Sequence, residues 1–145
     1  MKRNRIFFTL TCALLLTTPV WAGDYTDNGD YTITDNVTGL IWQQQDDGQA
    51  KKWEGAIAYC EGLSLANQTD WRLPNIKELE SITDDSRYYP AIDPIFTGTK
   101  ESYYWSATTH ASYYHNAWIV NFYPGCVYGG YKPLYYYARC VRGGQ

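Results

Sequence analysis

This 145-residue chain is poor in histidine, cysteine and long apolar runs. Its only long apolar stretch lies at the N-terminus, which excludes a multi-pass membrane protein. With two His, and no Cys-x-x-Cys among its four Cys, it carries neither a thioredoxin-type redox pair nor a familiar zinc spacing. Gly-x-Ser-x-Gly, His-Glu-x-x-His and phosphate-loop strings are also missing, so no common catalytic motif stands out. Proline is scarce at six residues, whereas aromatics reach 17%. So much ring surface drives collapse and argues against disorder. No internal repeat, low-complexity linker or charge block divides the chain, and its length suits one ordinary core.

The N-terminal 22 residues read as an address. Lys2, Arg3 and Arg5 precede a short apolar run over residues 6–16, Thr17, Thr18 and Pro19 break it, and Val20-Trp21-Ala22 offers a cleavage site. As an uncleaved anchor the run is too short to span a bilayer. Cys12 lies inside the run, with Ala13 and Leu14 to Leu16 beyond it, and reads as a small apolar residue of the signal rather than a lipidation site. Residues 23–145 are then the mature domain, periplasmic, cell-surface or secreted, with no transmembrane segment after cleavage. Losing three bases and no acid leaves nine Lys+Arg against fifteen Asp+Glu, a formal net charge of −6. A domain this acidic is not built to neutralise phosphates, so nucleic acid is excluded as a partner. Cys60, Cys126 and Cys140 remain. Export permits a disulfide, but an odd count leaves one thiol over, and three single-bridge pairings are open.

β-prone runs at residues 31–34 and 40–43 flank Asp35-Asn-Val-Thr-Gly39, a hairpin signal. Trp53, Ala56, Ile57, Cys60 and Leu63 recur at helical spacing, which predicts a helix over 51–65 with Cys60 on its buried stripe. Asn75 followed by Glu78 is a capping-box pattern and predicts a second helix over 76–82. From Tyr88 onward the helical period vanishes. Residues 103–108, 117–123 and 138–142 read as strands, with Trp118, Val120 and Phe122 on one face and turns at Pro124-Gly125 and Gly129-Gly130. A hairpin, two short helices and then strands make an α+β fold with mostly antiparallel sheet.

Six strings, in order, carry a resemblance: Thr38-Gly-Leu-Ile-Trp-Gln43, Asp70-Trp-Arg-Leu-Pro74, Lys77-Glu-Leu79, Tyr104-Trp-Ser106, Ala117-Trp118 and Arg139-Cys-Val-Arg142. Together they resemble the Lcl C-terminal domain family, the domains that cap bacterial collagen-like adhesins. The resemblance spans nearly all of the mature segment. It implies a compact exported domain related to the C-type-lectin-like fold, a role in surface binding or adhesion, and a Cys60–Cys140 disulfide with Cys126 left over. It supplies no agreed catalytic residues. The chain has no collagen-like repeat and lacks the Glu-Pro-Asn, Gln-Pro-Asp and Trp-Asn-Asp strings that hold calcium and sugar in typical C-type lectins.

Several residues are candidates for chemistry. Asp70, Trp71, Arg72 and Pro74 read as structural, fixing a turn, filling core and orienting the second helix. Asp27, Asn28 and Asp30 offer oxygens for calcium, but without EF-hand spacing they also suit an ordinary turn. No other cofactor is implied. Ten of fifteen Tyr fall within residues 103–137, more phenols than a core readily satisfies. Tyr113, Tyr114, His115, Asn116, Tyr128, Tyr131 and Tyr135 are therefore expected on loops or strand ends as a contact surface. The alternative is a Tyr-rich packed sheet with scattered exposed rings. His110 or His115 with Ser106 or Cys126 would be needed for a hydrolase, and their order in the chain gives no support for contact. The expected function is a non-enzymatic binding or adhesion module for a glycan or an envelope or host-surface protein. The competing reading is a structural or assembly component of the envelope.

Overall fold

The computed structural model describes residues 24–144, so the N-terminal signal expected over 1–22 lies outside the described residues. The chain runs β1 (Tyr25–Asp27), β2 (Thr32–Asp35), β3 (Ile41–Gln43), α1 (Trp53–Glu61), α2 (Ile76–Ser81), β4 (Tyr103–His110), β5 (Tyr113–Asn121), β6 (Cys126–Tyr131) and β7 (Val141–Arg142). The strands form two antiparallel sheets, ordered β1-β2-β3-β7 and β4-β5-β6. The architecture is α+β with two short helices, as the order of patterns implies.

The β2–β3 hairpin forms where expected. Asp35 Oδ1 accepts from the Val37 and Thr38 amides, and the Gly39 amide closes onto the Asp35 carbonyl. Its register pairs Ile33 with Trp42, both fully buried, and Trp42 then pairs with Val141 of β7. The last segment stitches the sheets together. Tyr137 exchanges backbone hydrogen bonds with Tyr103 and Trp105, and Val141 forms a two-bond bridge to Arg72.

Each face of the second sheet carries its own core. Tyr104, Val120 and Phe122 point into a cluster with Leu79, Ile82, Ile92, Phe96 and Trp42. Trp105, Ala117 and Ile119 point the other way, against Ala56, Cys60, Trp71 and Cys140. Period-two alternation thus buries both faces. Val120 and Phe122 share a cluster as expected, while Trp118 is half-buried and stacks on His110 at 4.4 Å. Cys60 and Cys140 are joined, with Cα atoms 5.4 Å apart, and tie α1 to the approach to β7.

Five expectations need correction. First, α1 ends at Glu61, not 65, because the chain turns at Gly62; Leu63 and Leu65 still pack on the core, but from an irregular segment. Second, α2 stops at Ser81, with Ile82 as its C-cap. Third, the strand expected over 117–123 is β5, which begins earlier, at Tyr113, and ends at Asn121. Fourth, the last strand shrinks to two residues. Fifth, Gly129 and Gly130 form no turn but lie inside β6. A Cβ on Gly130 would lie 2.9 Å from Ile119 and 3.0 Å from both Trp105 and Tyr136. Glycine is there because β6 crosses close over large side chains, not because the chain reverses.

Candidate functional site

Hydrogen bonds converging on Arg139 set the frame on which the surface loops hang. The Arg139 guanidinium is fully buried. It donates to the carbonyls of Gln43, Gln44 and Thr97 and to Thr99 Oγ1. Asp46 lies 3.7 Å from it and accepts the Tyr104 hydroxyl at 2.5 Å, while Tyr104 in turn accepts the Lys100 amide. Burial pulls the Arg139 pKa down, and Tyr104 and Asp46 oppose that fall. Burial and the Asp46 carboxylate raise the Tyr104 phenol well above its ordinary range, so it stays a neutral donor. Three distant stretches, at 43–46, 97–104 and 139, are fixed by this one network.

The Asp70–Pro74 stretch is likewise structural. Arg72 makes a bidentate pair with Glu78 at 2.7 Å and donates to the Gly143 carbonyl. Glu78 also accepts from the Asn75 amide, and Asn75 from the Glu78 amide, which completes the capping box. Asp70 accepts from Arg142, not from Arg72. Trp71 is buried.

Asp27, Asn28 and Asp30 are engaged as turn formers. Asp27 accepts the Gly29 amide and Gln44 Nε2, Asp30 accepts both the amide and hydroxyl of Thr32, and Asn28 bonds Thr32 and Thr34. Among the described residues no group of three or more His, Cys, Asp or Glu is placed to hold a metal ion.

Six of the ten tyrosines between 103 and 137 are exposed: Tyr113, Tyr114, Tyr123, Tyr128, Tyr131 and Tyr135. The candidate residues do not share one concave face. Residues 111–115 are all exposed, so the β4–β5 hairpin projects from the core. Tyr113 and Tyr114, 65% and 72% exposed, stand at its end, with the His115 ring 3.9 Å from that of Tyr114. Tyr113, Tyr114, His115 and Asn116 begin β5. Asn116 pairs with Tyr131, and both share the sheet face that carries Trp118. Tyr128 pairs with Ile119 on the opposite face, where it meets Tyr103. Tyr135 follows β6, and the Lys52 ammonium lies over its ring. Beside it Lys132 sits 3.9 Å from the Trp53 ring. The split follows from β6 being a strand, which sends alternate side chains to opposite faces.

Of the residues a hydrolase would need, Ser106, His110 and His115 are engaged with other groups. Ser106 is buried and donates to the Trp118 carbonyl. His110 Nδ1 accepts the Ser112 amide, His115 lies against Tyr114, and Cys126 is an exposed free thiol on the edge strand β6.

A second aromatic group lies outside the expected contact surface. Tyr88 and Tyr89 are exposed, and the Tyr89 ring packs on Tyr123 at 4.2 Å. The hydrogen bond between their phenols raises the pKa of Tyr123. The adjacent Tyr88-Tyr89-Pro90 string was the available signal, but nothing in the pattern placed Tyr123 beside it. Among the described residues no helix is long and apolar enough to cross a membrane.

No curated protein matches the chain. The sequence model of the Lcl C-terminal domain matches residues 31–142, a span that runs from the first hairpin through β7 and takes in both cysteines of the disulfide. The chain belongs to the Lcl C-terminal domain family.

Proposed function

We propose that this protein is an exported, non-enzymatic binding module, C-type-lectin-like in fold, that engages an envelope or host-surface protein through the tyrosines of the β4–β5 hairpin. One observation carries the reading: Tyr113 and Tyr114 stand out on a projecting hairpin whose base is anchored in the core through Ala117 and Ile119. Rigid amphipathic rings on a supported hairpin give large contact area at small entropic cost. A projecting end suits insertion into a partner's groove better than enclosure of a small ligand. Family membership supports surface binding, and the Cys60–Cys140 disulfide supports residence in an oxidising compartment. Tyr131 and Asn116 extend the contact along one sheet face, while Tyr128 and Tyr135 lie outside it.

The test compares the mature protein with a Tyr113→Ala/Tyr114→Ala variant for binding to intact cells or extracted envelope proteins. Loss of at least tenfold in affinity with unchanged thermal unfolding is the expected result. Undiminished binding by the variant would remove the hairpin from the function.

A further inference from the structure

The geometry points to a binding site for an uncharged saccharide in the cleft between residues 87–90 and 94–99, at the opposite end of β5 from the hairpin. This extends the binding-module reading to a second surface, and none of its residues belongs to the Tyr113–Tyr114 contact.

The cleft measures about 420 Å³, within the range of small-molecule sites and enough for a disaccharide-sized ligand. Its floor is apolar, formed by Ile92 and Phe96, which are buried at 2% exposure. Tyr88 and Tyr89 flank it, 66% and 55% exposed, with their rings inclined 48° to each other. Exposed phenol rings beside an apolar floor present faces for the C–H groups of a pyranose and the Tyr88 hydroxyl for its rim, while that of Tyr89 is bonded to Tyr123. Arg87 supplies further donors. Its Nε donates to Asp84 at 2.8 Å, so both Nη groups keep their donors for a ligand.

The cleft is also preformed. The Ala91 amide donates to the Phe122 carbonyl and the Asp84 amide to the Ala91 carbonyl, which docks the loop on the β5–β6 turn. The opposite wall is fixed from behind, because buried Arg139 holds the Thr97 carbonyl and Thr99 Oγ1. Tyr89 adopts φ 61°, a region costly for a large side chain, where glycine or asparagine would serve better. Strain of this kind gathers where a side chain is being aimed.

Charge selects the ligand class. The Arg87 cation is cancelled by Asp84, and Asp85 and Asp93 lie close by around an adjoining acidic hollow. A sulfated or carboxylated glycan would meet net negative charge here, whereas a neutral sugar would not.

Backbone amide NMR of the full mature protein, titrated separately with maltose, cellobiose, lactose, diacetylchitobiose, a heparin disaccharide and a proline-rich decapeptide, reads each surface independently. The expected result is saturable shifts confined to residues 87–99 and 123 with at least one neutral disaccharide. Tyr88→Ala should weaken that binding roughly tenfold, and Arg87→Gln should weaken it with the Tyr88 ring intact. The site is refuted if none of the four neutral disaccharides shifts those residues. A stronger response there to the heparin disaccharide or to the peptide overturns the ligand class. Shifts at 113–116 report on the hairpin alone, so either surface can fail while the other stands.

Discussion

Arg139 shows how one side chain can hold distant loops in register. A guanidinium spans several carbonyl oxygens at once because its donors lie in a rigid planar fork. A lysine would reach one or two of these acceptors, and a methionine none. Arg139→Met would also leave Asp46 buried beside Tyr104 with its nearest cation gone. Removing one partner of such a buried pair costs about 3–5 kcal/mol. Urea unfolding should show a fall of that size in Arg139→Met and a smaller one in Arg139→Lys, which keeps a cation beside Asp46 but reaches fewer of the carbonyls. Gly130 acts at the same scale by its smallness. Gly130→Ala should lose about 1–3 kcal/mol through overpacking, measured in the same way, because the new methyl meets Ile119, Trp105 and Tyr136 at once.

Helix α2 is only six residues long, and its start is held by side chains from both sides. Burial pushes the Glu78 pKa up, but the bonds from Arg72 and the Asn75 amide outweigh it, and the net shift is downward. A carboxyl with a depressed folded pKa stabilises above its unfolded pKa of about 4.3. That stabilisation disappears as pH falls through the folded value. Glu78→Gln should therefore lose about 1 kcal/mol at neutral pH and show a flatter decline of stability below about pH 5 than the parent. Denaturant midpoints collected from pH 7 to pH 3 check both parts.

The start of α2 was legible because Asn75 and Glu78 stand at the spacing a capping box requires. The end of α1 was not, since Leu63 and Leu65 continue an apolar pattern that tertiary packing satisfies without helical hydrogen bonds. β6 was illegible for a related reason: two adjacent glycines carry a turn signal locally, and only the three large side chains against Gly130 explain that glycine as a strand residue. The tyrosines were legible as surface, but not as two surfaces. Their division depends on β5–β6 register, which pairs Asn116 with Tyr131 and Ile119 with Tyr128.

Across the whole molecule, the three-stranded sheet works as a spacer. The hairpin tyrosines and the Tyr89–Tyr123 pair stand at opposite ends of β5, roughly 30 Å apart along the strand. The disulfide keeps α1 fixed against one face of that sheet. In the chain-entropy account, a link across 80 residues contributes about 4–5 kcal/mol. A Cys60→Ala/Cys140→Ala variant should lose stability on that scale by calorimetry, while Cys126→Ser, at an exposed thiol, should leave the transition where it is.

Because the sulfur link encloses everything from α2 through β6, a single protease cut between positions 60 and 140 severs the polymer without parting it. Nicked protein would run as one species on a denaturing gel until a reductant is added, and only then separate into two bands.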